Sequence, residues 1–93
     1  MKDELRGTGR TFTQMRQAPQ GSGYVWLNHQ LTYPNDLAKH IGRTDLRIVS
    51  PMWIGEGRWR GLEFGGVVVD HAARLTPIQL EALEGLRTTI RRR

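Results

Sequence analysis

Three strings in this chain bring together residue types that handle anions. Arg6-Gly7-Thr8-Gly9-Arg10-Thr11 sets glycines, hydroxyls and guanidinium groups just ahead of an apolar-periodic segment that starts at Phe12. A glycine turn feeding a helix N-terminus aims backbone amides at one point, and such a point holds phosphates. Gly7, Thr8, Gly9, Arg10 and Thr11 are therefore candidate phosphate-binding residues; the other reading is a glycine turn before a capped helix. Farther along, Val67-Val68-Val69 runs into Asp70-His71. A carboxyl group at the end of a parallel strand lies where open α/β sheets place ligands, so Asp70 reads as a phosphate-loop or magnesium contact. It reads equally as the partner of a nearby arginine or as a cap on the next turn. His71 has a side chain suited to proton transfer near neutral pH, or it is a polar residue closing the strand. In the third string, Arg58-Trp59-Arg60, an aromatic platform stands between two cations. A base can stack on such a platform while phosphates are gripped beside it, and an anchor for a protein partner has the same composition. Arg91, Arg92 and Arg93 add a second basic cluster at the end of the chain.

Composition narrows what these strings can do. Of 93 residues 14 are basic and 9 acidic, a net charge of +5. Nearly all the cations are arginine, which favours planar, anionic partners such as phosphate. The absence of cysteine excludes disulfides, thiolate catalysis and cysteine-bound zinc. His29, His40 and His71 lack ligand spacing, so no metal site is expected, and His40, four residues after Asp36, reads as a surface ion pair. No apolar run approaches the roughly 20 residues of a membrane span. The absence of cysteine and of a secretory h-region points to a reducing cytoplasm. Length allows one domain, organised as a flexible N-terminus over 1–5, a core over 6–90 and a basic tail over 91–93.

The elements that must position the strings follow from periodicity. Thr76, Pro77 and Gln79 form a capping box with proline at the first helical position. Leu80, Leu83, Leu86 and Ile90 then recur on one face, predicting a helix over 77–91 with Leu75 and Leu80 as a hydrophobic staple. Strands are predicted at Tyr24–Asn28, Leu46–Val49 and within Leu62–Asp70, where consecutive valines imply a strand covered on both faces. Their spacing of about twenty residues leaves room for a helix between each pair, the pattern of a parallel sheet. Pro34–Ile41, stopped by Gly42, and Thr11–Ala18 read as helices, and one helical turn followed by a loop is expected over 51–61. Trp26 belongs to a strand and reads as core. The fold class is α/β: a small, mainly parallel sheet of three or four strands flanked by helices.

The order loop, helix, strand, helix, strand, Asp-ended strand, helix resembles the N-terminal half of P-loop nucleoside triphosphatases of the RecA, helicase and terminase type. Gly9-Arg10-Thr11 is similar to the Gly-Lys-Thr that ends a Walker A loop, and Val67–His71 is similar to a Walker B strand. The chain looks closest to small phage-encoded proteins resembling degenerate, miniature P-loop domains. The resemblance implies ATP on the loop, with magnesium held by Thr11 and Asp70 if nucleotide binds. It also implies loss of hydrolysis. Glu4 stands where Walker A has its first glycine, Arg10 replaces the lysine, and His71 stands where helicases carry the catalytic glutamate.

The sequence therefore leads to a non-catalytic phage accessory protein that binds phosphate, nucleotide or nucleic acid in the host cytoplasm, with no membrane partner. The alternative is an inhibitor of a host enzyme or defence complex, similar to anti-CRISPR interaction modules. Arg58, Trp59, Arg60, Arg91, Arg92 and Arg93 would make the contacts in either case.

Overall fold

A computed structural model of the chain describes residues 2–92, with side chains from residue 9 onward. Its elements run α1 (Lys2–Gln17), β1 (Gly23–Val25), α2 (Thr32–His40), β2 (Arg47–Val49), α3 (Pro51–Gly55), β3 (Val67–Val69) and α4 (Pro77–Arg91). The strands form one three-stranded sheet in the order β2-β1-β3. Both pairings are parallel, with Tyr24 opposite Ile48 on one side and Val68 on the other. This is the α/β class that the strand spacing predicts, with three strands. None of the helices is long and apolar enough to cross a membrane among the described residues.

Strand order explains the layering. The chain moves outward from β1 to β2, then returns past β1 to β3. Parallel crossovers keep one hand, so crossovers running in opposite directions along the sheet must pass over opposite faces. On one face α1 and α2 bury Met15, Ala18, Tyr24, Trp26, Ala38, Leu46 and Ile48 together. On the other, α3 and α4 bury Val25, Val49, Ile54, Trp59, Phe64, Leu83 and Leu86. Tyr24 and Val25 fall in different layers because successive strand side chains point to opposite faces.

Local signals are met closely where they are strongest. Thr76 caps α4 with both halves of the capping box in place, and Pro77 sits in its first turn. Ser50 caps α3 by accepting from the Trp53 amide at 3.1 Å, giving the single turn expected there. Gly42 follows the end of α2 with φ of +77°, a left-handed conformation that glycine adopts without cost. The valine strand is packed on both faces as expected, but it lies at the sheet edge and all three valines stay half-buried. Leu80, the expected staple partner of Leu75, is left 49% exposed and shares a groove with it. Asp36 and His40 form no ion pair, and both are exposed.

One tight approach fixes how β3 enters the sheet. Gly65 donates from its amide to the Gly21 carbonyl at 3.0 Å. A Cβ on Gly65 would lie 1.9 Å from the Gln20 carbonyl oxygen, a distance that forces the backbones apart. Glycine here lets the turn before β1 and the turn before β3 touch.

Candidate functional site

The expected phosphate loop is helix. Gly7, Thr8, Gly9, Arg10 and Thr11 all lie within α1, which starts at Lys2 in place of a flexible segment over 1–5. From residue 6 onward an amide inside this helix has an i−4 carbonyl as its partner, and so cannot converge on a phosphate. No strand precedes α1 among the described residues, so the buried strand that backs a Walker A loop is missing.

The structure does bring Thr11 to Asp70, fifty-nine positions apart, and the contact is direct. Thr11 Oγ1 donates to Asp70 Oδ1 at 2.9 Å, and the Tyr24 hydroxyl donates to the same oxygen at 2.5 Å. Asp70 Oδ2 accepts from the Ala72 amide at 3.0 Å. Thr11 is 3% and Asp70 2% exposed. Desolvation, followed by the hydrogen bond and charge of Asp70, holds the Tyr24 phenol far above its ordinary value. Asp70 thus caps the turn after β3, one of the structural roles open to it, and ties α1 to β1 and β3.

Gln14 extends this knot by one helical turn. Its Nε2 donates to the Val69 carbonyl at 2.9 Å, and its Oε1 accepts from the His71 amide at 2.7 Å. A primary amide has one donor face and one acceptor face, like a peptide unit, and here it pairs with β3 as a strand residue would. His71 Nδ1 lies 3.3 Å from Gln14 Oε1 and 3.5 Å from Asp70 Oδ2. The histidine closes the strand against two side chains of the knot.

This knot stands where doubly wound sheets hold ligands, beyond the carboxyl ends of strands whose connections leave towards opposite faces. Between β1 and β3 that position is filled by Asp70, Tyr24 and Thr11. Both Asp70 oxygens are engaged by O–H and N–H donors, and the amides of residues 6–11 are committed to helix. These residues do not fit ATP with magnesium. Groups of three or more His, Asp or Glu side chains able to hold a metal are absent among the described residues.

Opposite, at the amino ends of the strands, stands a second polar junction. Arg43 forms a bidentate pair with Asp45, Nε to Oδ1 at 3.0 Å and Nη2 to Oδ2 at 2.9 Å. The same guanidinium donates to the carbonyls of Met15 at 2.6 Å and Ala18 at 3.1 Å, covering the last turn of α1. Asp45 Oδ2 also accepts from the Gly21 amide at 2.8 Å. The hydrogen bonds from Arg43 and then from Gly21 hold the Asp45 carboxyl well below the usual carboxylate range. The Arg43 guanidinium is correspondingly shifted upward by its bond to Asp45.

The basic candidates meet only partly as expected. Trp59 is no platform: it is 6% exposed, and its indole Nε1 donates to the Ile54 carbonyl at 3.0 Å. Its ring is seated on α4, where a Cβ at Gly85 would meet it at 3.4 Å. Arg60 lies over the outer face of the Trp59 ring, with Cζ 5.3 Å from the centroid. Helical spacing puts Thr88, Thr89 and Arg92 on the α4 face that carries Gly85. Arg58, Arg60, Arg91 and Arg92 are all exposed, and Arg93 lies outside the described residues. Arg58 reaches Glu56 at 3.7 Å and Arg91 reaches Glu84 at 3.8 Å, long and solvated pairs that contribute at most about 1 kcal/mol each.

Sequence reasoning missed Gln14, Arg43 and Asp45. The signal for the last two was an arginine and an aspartate two apart, directly after the glycine that ends a helix. No protein-family model, curated protein or solved structure matches this chain.

Proposed function

We propose that this protein is a non-catalytic binder of polyanions, with nucleic acid as the main ligand, and that it grips the phosphate backbone with the amino-end side of the molecule. α1, α2 and α4 run antiparallel to the strands, so Arg16, Lys39 and Arg92 end their helices at the side where Arg47 opens β2. The observation that carries the reading is the seating of Trp59 on Gly85. It presses the α3–β3 connection onto α4, so Arg58 and Arg60 join the face that ends in Arg92, with Arg91 beside it at the end of the helix. Arg60 is held over an indole, with Cζ 5.3 Å from the ring centroid, and is exposed, a prepared grip for phosphate oxygens.

Arg91 and Arg92 also complement the helix dipole, but that role leaves their outward donors available. Since Trp59 is buried, the reading favours backbone contact over base stacking, hence similar affinity for single and double strands. Fluorescence anisotropy with labelled oligonucleotides across a potassium chloride series tests it. Binding should weaken with a log-log slope of about 0.7 to 0.9 per phosphate neutralised. Replacing Arg58, Arg60, Arg91 and Arg92 by glutamine should lower the slope by about one unit for each phosphate no longer gripped. No binding at low salt sinks the reading.

A further inference from the structure

β3 is one of the two edge strands of the sheet. In the parallel ladder, the Gly23 amide bonds to Gly66 and the Asp70 amide to Val25, so Gly66, Val68 and Asp70 face β1. Val67 and Val69 therefore turn their backbone groups outward. Gln14 covers the Val69 carbonyl, leaving the Val67 amide, the Val67 carbonyl and the Val69 amide without a strand partner. Edge strands are usually blunted by charges, prolines or a covering element. Among the described residues, Gln14 is the side chain that blunts this edge.

A groove lies beside this edge on each face of the sheet. On the α4 face Val69, Leu75, Leu80 and Leu83 form its apolar lining, with Arg74 and Arg87 among the walls. Leu80 is exposed above it, and the Nε of Arg87 is buried with no hydrogen-bond partner. An unsatisfied buried donor is costly, and the residue that carries it lines the groove. On the α1 face Gly9, Arg10, Thr13, Gln14 and His71 line a second groove. Glu84 also lines the first groove, where two arginines outnumber it and its carboxylate leans away to Arg91 at 3.8 Å.

We propose that the β3 edge and its two grooves form a docking site for an extended acidic peptide segment of a partner protein. Its backbone pairs with Val67 and Val69, extending the sheet by one strand. Alternate side chains of a strand point to opposite faces, so one set enters the groove of Leu75, Leu80 and Leu83 and the other the groove of Arg10. Acidic side chains reach Arg87, Arg74 and Arg10, which supply charge of the opposite sign. Main-chain bonds and alternating pockets are the usual division of labour in strand addition. The site uses none of the residues assigned to polyanion binding, so either reading can fail alone.

A fluorescein-labelled octapeptide of alternating glutamate and valine is the probe, read by anisotropy with the full chain. It should bind, whereas lysine–valine and all-glutamate peptides should not. N-methylation of the peptide backbone at alternate positions should weaken binding at least tenfold while leaving the protein untouched. Arg74→Gln with Arg87→Met should do likewise, and thermal unfolding of the variant, expected to match that of the wild type, checks that the fold is kept. Val67→Pro removes an outward amide, a place where an edge strand tolerates proline, and should also weaken binding. Equal binding of the N-methylated peptide, or unchanged affinity in the arginine variant, overturns the proposal. A dimer in sedimentation that Val67→Pro dissociates would assign the edge to a second copy. Competition by a single-stranded oligonucleotide that needs Arg74 and Arg87 would assign it to nucleic acid. Either result overturns the peptide as occupant.

Discussion

The carboxyl and amino ends of the small sheet are each closed on α1 by an aspartate, and they differ in what remains available afterwards. At the carboxyl end Asp70 is buried and accepts from Thr11, Tyr24 and Ala72, so its bonding capacity is used inside the fold. At the amino end Asp45 satisfies Arg43 and the Gly21 amide at the molecule's surface, with the side chains of Arg43 and Asp45 17% and 25% exposed. Around it Arg16, Lys39 and Arg47 stay exposed. Apolar exposure is distributed in the opposite way. Leu27, Tyr33, Met52, Ile78 and Leu80, the large apolar side chains left exposed, follow the carboxyl ends of strands or sit in the first turns of α2, α3 and α4. The usual ligand position of an α/β sheet has become a structural junction here, while cations with outward donors gather at the other end. A carboxyl group at a strand end is informative about function only once its hydrogen-bond partners are known.

The largest expected effect comes from opening the buried junction. Asp70→Ala leaves the Thr11 and Tyr24 hydroxyls and the Ala72 amide without their acceptor, each worth about 1 to 3 kcal/mol when buried. A loss of about 3 to 5 kcal/mol is expected, a large fraction of a total near 5 to 15, measured by urea unfolding. A loss below about 1 kcal/mol would mean that Asp70 is not the tie between α1 and the sheet.

The amino-end junction should respond less and show its charge. Arg43→Met removes a bidentate pair and the cover on the last turn of α1, for an expected loss of about 2 to 3 kcal/mol near neutral pH. Because the Asp45 carboxyl is held low in the folded state, its contribution is complete above the unfolded value near 3.9 and is lost as pH falls below it. Asp45→Asn should therefore cost stability at pH 7 and progressively less in acid. Unfolding curves for both chains between about pH 2 and 7 should converge at the acid end; parallel curves would remove Asp45 from the linkage.

A smaller effect is expected for Tyr24→Phe, about 1 to 2 kcal/mol, since Thr11 and Ala72 still satisfy Asp70. The folded state holds the phenol protonated, so this contribution is present below the unfolded value near 10 and declines above it. Wild type should lose stability above about pH 10 more steeply than the phenylalanine variant. Smallest of all, Arg91→Gln with Arg92→Gln should change stability by no more than about 0.5 kcal/mol, while the salt dependence of oligonucleotide binding falls. A large stability change there would make these arginines structural and erase the contrast between the two ends.

The sequence by itself determined the elements and their class. The capping box at Thr76, the proline at Pro77, the glycine at Gly42 and the twenty-residue spacing of strands all act through bonds and torsions within a few residues, so they are legible in order along the chain. Three decisions needed the tertiary structure. Gly7 and Gly9 fall inside α1 although glycine disfavours helix by about 1 kcal/mol each, a local preference that the packing of Met15 and Ala18 on the sheet overrides. The valine strand became an edge because strand order is set by crossover hand and by which faces the helices cover, which no window of sequence contains. Trp59 turned inward because its ring packs on α4 at Gly85, twenty-six residues away, and its indole finds the Ile54 carbonyl. Burial and hydrogen-bond saturation depend on contacts between distant segments, and they decide whether a residue able to do chemistry is left free to do it.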